Sequence, residues 1–239
     1  PSTSSAASDV YKRQKWQAKG FNRLKMTVGN QALARRDEPR LLGDVILEDA
    51  KRVETVRMAA GPEVELFIDA NCSLDLYHAR QLCQIIEPFH IEFFEEPITQ
   101  NDIRHMADLR SQTTIRLACG QNEGQAYRFR DMMIAGAVDI IQPNVAITGG
   151  FTQCQKIAAL ANSFNISVDN GGAWPFFNQH LQAGLSNGGL VEYHYSSVEV
   201  CKQLYIGLPE PKEGWLKMTN TPGLGFELNI AALSHFEID

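Results

Sequence analysis

Cysteine is scarce in this chain, and positive charge is outnumbered. The five cysteines, Cys72, Cys83, Cys119, Cys154 and Cys201, are odd in number, and no two stand in a Cys-x-x-Cys spacing. Neither a disulfide framework nor a cysteine-built zinc site is therefore expected. Scattered, reduced thiols suit the cytoplasm. Lys and Arg number 22 against 28 Asp and Glu, a net charge of −6 over 239 residues. A nucleic-acid surface needs a basic stripe, so nucleic acid is not an expected partner. No apolar run approaches the ~18 residues that suggest a membrane span, so no membrane role is expected either. No secretory leader is visible. The glycine patterns that cradle dinucleotides and nucleotide phosphates are missing too. What is present is ordinary for a globular protein, with 44% hydrophobic and 21% charged residues, too apolar a mixture for disorder.

Residues 1–14 are small and polar without helical or strand periodicity, and are expected to be a non-native or disordered leader. From residue 15 onward the pattern becomes regular. β-rich runs at 23–28, 64–69, 91–95, 115–119, 138–142, 166–169 and 190–193 alternate with helical patterns at 44–60, 74–87, 125–135, 151–163 and 175–185. Val45, Ile46, Ala50, Val53 and Val56 mark the buried face of the first of these helices, with Gly61 as its stop. Polar residues close the strands at 69, 95, 121, 144, 170 and 192. So even a spacing predicts βαβ units closed into a TIM-type (β/α) barrel over residues 15–208, rather than an open doubly wound sheet. Seven strands are visible where a barrel needs eight, and the first is expected upstream. Residues 209–239, through Pro209, Pro211 and Gly214, are expected to pack towards a capping domain outside this sequence.

Barrel sites lie at the C-terminal ends of the strands. Those ends carry Lys25 and Thr27; Asp69 and Asn71; Glu95 and Glu96; Gln121 and Asn122; Gln142 and Asn144; Asp169 and Asn170; Glu192 and His194. Asp69, Glu95 and Gln121 come from consecutive strands and offer the hard oxygen ligands that Mg²⁺, or Mn²⁺ in its place, prefers. Taken singly, each carboxylate would serve equally well as a helix cap or an ion-pair partner. The turn 170–175, Asn-Gly-Gly-Ala-Trp-Pro, reads either as a backbone cradle for an anionic or polyol substrate or as a tight loop with Trp174 in the core.

The order and spacing of several stretches carry a resemblance. They are Leu24-Lys25-Met26-Thr27-Val28-Gly29, Ile68-Asp69-Ala70-Asn71, Phe93-Phe94-Glu95-Glu96-Pro97, Ala118-Cys119-Gly120-Gln121-Asn122-Glu123, Asp139-Ile140-Ile141-Gln142-Pro143-Asn144 and Pro222-Gly223-Leu224-Gly225. Together they resemble the C-terminal barrel of the enolase superfamily, in its mandelate racemase and muconate-lactonizing branch. The resemblance implies a Mg²⁺ enzyme that removes a proton α to the carboxylate of a small-molecule substrate, by way of an enediolate. It implies Asp69, Glu95 and Gln121 as metal ligands, Glu96 behind them orienting the site, and Glu192 as a donor to developing negative charge. It leaves a homo-oligomer open.

The chain also departs from that pattern. The family's Lys-x-Lys reads Lys25-Met26-Thr27 here, so Lys25 is expected either to replace the missing base or to hold the substrate carboxylate. The Asp–His pair of the opposite wall falls on Asn144 and about Gly171, which carry no protons. Asn71, Asn144 and Asn170 are expected to bind substrate. The remaining titratable candidates are Asp169, Glu192 and His194, the last two placed on one strand face. Dehydration of a sugar acid tolerates this depleted wall better than racemisation, which needs two bases. Racemase or epimerase chemistry, and a barrel that binds a metal-chelated acid without turning it over, are the alternatives.

Overall fold

A computed structural model of the protein describes residues 6–29 and 41–233. The first five residues of the expected leader and the last six of the C-terminal segment lie outside these. The fold is α/β. Its six-stranded sheet runs in chain order through β1 (Arg23–Thr27), β2 (Glu65–Asp69), β3 (Ile91–Glu95), β4 (Arg116–Cys119), β5 (Ile140–Ile141) and β6 (Ser167–Val168). Two compact units divide the chain, residues 1–119 with 131–140, and residues 120–130 with 141–239.

In the first unit β1 to β4 pair in parallel, and one row of the ladder reads Thr27, Asp69, Glu95, Ala118. The even residue spacing therefore becomes lateral register. Each strand end is fixed by the next N–H along the chain: Val28 donates to the Asp69 carbonyl at 2.8 Å, Ala70 to that of Glu95 and Glu96 to that of Ala118, both at 3.0 Å. Helix α2 (Leu42–Ala60) buries Val45, Ile46, Ala50, Val53 and Val56, as the 3.6-residue period requires, and stops at Gly61 with φ of 82°. Helix α3 (Leu76–Ile86) starts two residues later than periodicity suggests, because Asp75 caps it by accepting from the His78 N–H at 2.8 Å.

The leader is corrected in part. Residues 6–17 form helix α1 (Ala6–Gln17). The buried Arg52 guanidinium donates to Asp9 at 2.8 Å and to Asp49 at 2.6 Å, and Trp16 meets Phe21 edge-on at 5.3 Å. A helix whose contacts include a buried ion pair and a ring contact has no apolar stripe to reveal it. Burial raises the Asp49 carboxyl above its usual range, although the Gly29 N–H and Arg52 both donate to it. Gly29 has φ of +73°, and a β-carbon there would run into Ser73 Oγ and against Leu74. Gly29→Ala is expected to cost roughly 2–3 kcal/mol of stability, measured by urea unfolding.

Helices α4 (Ile103–Arg110) and α5 (Ala126–Ile134) follow β3 and β4, and the second unit contains helices α6 (Gly150–Ser163), α7 (Pro175–Ala183) and α8 (Tyr195–Leu204), with α9 (Ile230–Leu233) near its end. The seventh strand expected at 190–193 is absent from the ladder. The run still lies along β6: the Asn170 N–H donates to the Leu190 carbonyl at 2.8 Å, the Val168 N–H to that of Asn187 at 2.9 Å, and Val168 bridges Gly188 in parallel, while side chains receive its own N–H groups. Asp169 Oδ1 accepts from the Leu190 N–H at 2.7 Å, Asn170 Oδ1 from Glu192 at 3.1 Å, and Gln182 Oε1 from Gly189 at 2.9 Å. The C-terminal segment returns to its own unit: β8 (Glu227–Leu228) pairs antiparallel with β7 (Tyr205–Ile206), and the Phe226 ring lies 5.2–6.5 Å from Phe176, Phe177 and Tyr205.

Burial pushes the thiols up, Cys72 and Cys83 to about 12 and Cys154 to about 11, from an ordinary value of 9.0. The native state thus keeps these protons where the unfolded chain loses them. Their stabilising contribution is whole below pH 9 and is lost as pH climbs towards 11–12. Urea unfolding is expected to show stability declining from pH 9 upward.

Candidate active site

Within the first unit the ends of β1, β2 and β3 gather four charged side chains. Asp69 is 5% exposed, and Glu95 and Glu96 are fully buried. The Lys25 ammonium lies 2.5 Å from Glu95 Oε2 and 3.4 Å from Asp69 Oδ2, so one cation bridges two carboxylates. Asn101 Nδ2 donates to Glu96 Oε1 at 2.9 Å, and Cys72 Sγ donates to Asn101 Oδ1 at 3.4 Å. Burial raises the Cys72 thiol first, with the negative charges of Glu96 and Asp69 adding to it. Asn71 is exposed, and its N–H donates to Asp69 Oδ1 at 2.8 Å. Asn71, Cys72, Glu96 and Asn101 all hold φ between 41° and 58°. Left-handed non-glycine residues are costly and concentrate at working sites. Cys72 and Asn101 escaped the sequence reading, because Asn101 lies in a turn after β3 and nothing in its neighbours advertises its contact with Glu96.

The second unit builds a wall of amides. Asn144 is fully buried. Its Nδ2 donates towards the carbonyls of Gly171, Gly172 and Ala173 at 2.8, 3.0 and 3.1 Å, while Oδ1 accepts from the Ala146 N–H at 2.9 Å and from Asn178 Nδ2 at 3.0 Å. Asn170 Nδ2 donates to the Gly171 carbonyl at 2.8 Å. Residues 172–174 are all left-handed, with φ of 74°, 67° and 58°. Three successive carbonyls thus face Asn144, and of the two sequence readings of this turn, a backbone cradle or a tight loop, these contacts fit the tight loop. Glu192 Oε2 accepts from the Ala173 N–H at 2.7 Å and holds the far side of the same turn. Gln121 lies against it: a β-carbon on Gly172 would stand 3.1 Å from Gln121 Cβ and 3.3 Å from its Oε1. Gln142 is 1% exposed, and neither of its amide atoms has a hydrogen-bond partner among the described residues.

Two of the expected acid–base groups also contact nearby backbone. Asp169 is buried and supports Leu190. His194 is exposed at the start of α8, accepting from the Ser197 N–H at 3.4 Å, with its ring stacked on Tyr195. Without a strand at 190–193, Glu192 and His194 do not share a strand face.

The family described as Enolase C-terminal domain-like matches residues 9–232. The chain belongs to the enolase superfamily. It is a C-terminal domain of the mandelate racemase and muconate-lactonizing branch. L-rhamnonate dehydratase of Saccharopolyspora erythraea is 29% identical over 187 residues, which cover 75% of this chain and 48% of that one. D-galactarolactone cycloisomerase of Agrobacterium fabrum is 35% identical over 127 residues, 53% of this chain and 34% of that one. A solved structure of L-talarate dehydratase from Polaromonas sp. JS666, complexed with Mg and L-glucarate, aligns with a TM-score of 0.82 at 27% identity, covering 94% of this chain and 58% of its own. The chain spans about half the length, or less, of these curated relatives.

Among the described residues no three His, Cys, Asp or Glu side chains form a metal-holding group, and no helix is long and apolar enough to cross a membrane. The donor set of the first unit nevertheless suits a hard cation. Two buried carboxylates stand in register on neighbouring strands and share one ammonium, and carboxylate pairs of this kind are what Mg²⁺ uses alongside its waters.

Proposed function

We propose that this domain takes part in Mg²⁺-dependent dehydration of a sugar acid, in which the proton α to the carboxylate and the β hydroxyl are lost. The observation that carries the reading is the in-register pair Asp69 and Glu95 with Lys25 bound to both. Relatives named as dehydratases support it. Asp69 and Glu95 would hold the cation, which supplies positive charge to offset the negative charge that builds on the substrate carboxylate. Gln121, two residues beyond β4, is the third proposed ligand on its place in the sequence. Glu96, gripped by Asn101, keeps this group of carboxylates oriented.

Lys25 is the proposed acceptor of the α proton, at Nζ. Glu192 is the proposed partner of the leaving hydroxyl, fixed in place by the Ala173 N–H. The residues proposed to contact substrate are Asn71, Asn144 and Asn170. Asn144 Nδ2 holds the 171–173 turn, and its Oδ1 accepts from Ala146 and Asn178. Asp169 and His194 complete the proposed acid–base set. The amide wall favours a one-base reaction over racemisation. The named cycloisomerase keeps an isomerase as the second reading.

The test incubates the protein with a panel of sugar acids in D₂O, with Mg²⁺ and with EDTA, and follows mass. Loss of water from one acid, abolished by EDTA and restored by Mg²⁺, is expected. Deuterium uptake without water loss would move the assignment to an isomerase. Neither change, in a protein that binds Mg²⁺, would favour a binding role without turnover.

A further inference from the structure

We propose that Lys25 and the divalent cation compete for the same oxygens, so that loading the ion releases the Lys25 side chain from its carboxylates. The inference rests on the reading of Asp69 and Glu95 as cation ligands and adds an order of events to it. Lys25 Nζ lies 2.5 Å from Glu95 Oε2 and 3.4 Å from Asp69 Oδ2. A divalent cation held by those oxygens would take the lone pairs that the ammonium now uses. An ammonium and a doubly charged ion repel at contact range, and the two oxygens cannot serve both in the same geometry. Both carboxylates are buried on rigid strand ends and have little freedom to move. Lys25 is the mobile partner, with a flexible four-carbon stem and a side chain 19% exposed.

The consequence is a built-in sequence. While Lys25 is held in its two ion pairs, it is the ammonium counter-ion of the buried carboxylates. Arrival of the ion displaces that ammonium, which must then give its proton to solvent before Nζ can accept one from substrate. The lysine is thus released by the ion, and it serves as a base only after that proton has left.

The experiment titrates Mg²⁺ into the wild-type chain, Lys25→Met and Asp69→Asn by calorimetry, and measures reductive methylation of Lys25 by peptide mass spectrometry with and without Mg²⁺. Lys25→Met is expected to bind Mg²⁺ about tenfold more tightly than wild type, and Lys25 in the wild-type chain to be labelled faster once the ion is present. If wild type binds, Asp69→Asn does not, and Lys25→Met binds no more tightly, competition is overturned while the cation site stands. If neither wild type nor Lys25→Met binds, the cation reading itself fails. Should Lys25→Met not fold, the wild-type labelling decides, and unchanged or slower labelling with Mg²⁺ overturns the proposal.

Discussion

Glu95→Gln is expected to lower Mg²⁺ affinity by about two orders of magnitude, because loss of even an outer partner of a metal ligand costs up to ~100-fold. Glu95 is fully buried and stands opposite Asp69 in the ladder. The amide keeps the shape of the side chain and removes its charge, so two negative charges facing the cation become one. Lys25 keeps its contact with Asp69, and that contact preserves a counter-ion pair within the fold. The variant should therefore remain folded, with a lowered melting temperature, while calorimetry shows the metal heat lost. Affinity within threefold of wild type would show that Glu95 serves the fold alone.

Asn144→Asp is expected to destabilise the protein by roughly 3–5 kcal/mol at neutral pH. The substitution looks conservative and would restore the residue found in the family pattern. The structure says otherwise. Asn144 Nδ2 faces three carbonyl oxygens within 3.1 Å. A carboxylate oxygen in that place loses every donor contact and sets buried negative charge against three dipoles of the same sense. Asn178 Nδ2, which Asn144 Oδ1 accepts from, offers partial compensation. The new carboxyl would have its pKa raised by burial and by those carbonyls, and once protonated it regains a donor. The deficit should therefore shrink as pH falls towards about 5. Thermal unfolding at pH 5 and pH 8 checks both sign and size, and a loss under 1 kcal/mol at pH 8 would show that the 171–173 turn does not depend on Asn144.

That second case shows where the sequence is readable and where it stops. The α2 face and the strand-end beat are local and periodic. Val45 to Val56 were legible as a buried stripe, and the 26-residue step from Asp69 to Glu95 became a lateral pairing. The charged strand ends were legible as a group for the same reason. What escaped is non-local. No spacing announces that Lys25 turns to Glu95, seventy residues away, or that Asn101 grips Glu96. Asn144 was legible as a departure from the family pattern, but its engagement with three carbonyls depends on residues 172–174 being left-handed, which composition alone does not demand of Ala173 and Trp174. The strand expected at 190–193 failed for a related reason. Its apolar pattern is genuine, and the carbonyls of Asn187 and Leu190 accept from the Val168 and Asn170 N–H groups, yet Asp169, Asn170 and Gln182 supply side-chain oxygens to its N–H groups, so only an isolated bridge at Gly188 forms in place of a regular strand. Helix α1 was missed because a buried Asp9–Arg52 pair leaves no apolar period to detect.

The proposed dehydration depends on a cation held by Asp69 and Glu95. The most direct measurement is calorimetric titration of Mg²⁺ into the wild-type chain, with EDTA-treated protein as the starting material. One ion per chain, lost in Glu95→Gln, is the predicted result. A wild-type titration with no saturable heat, in protein shown to be folded by its cooperative melt, would contradict the proposed site and the chemistry built on it.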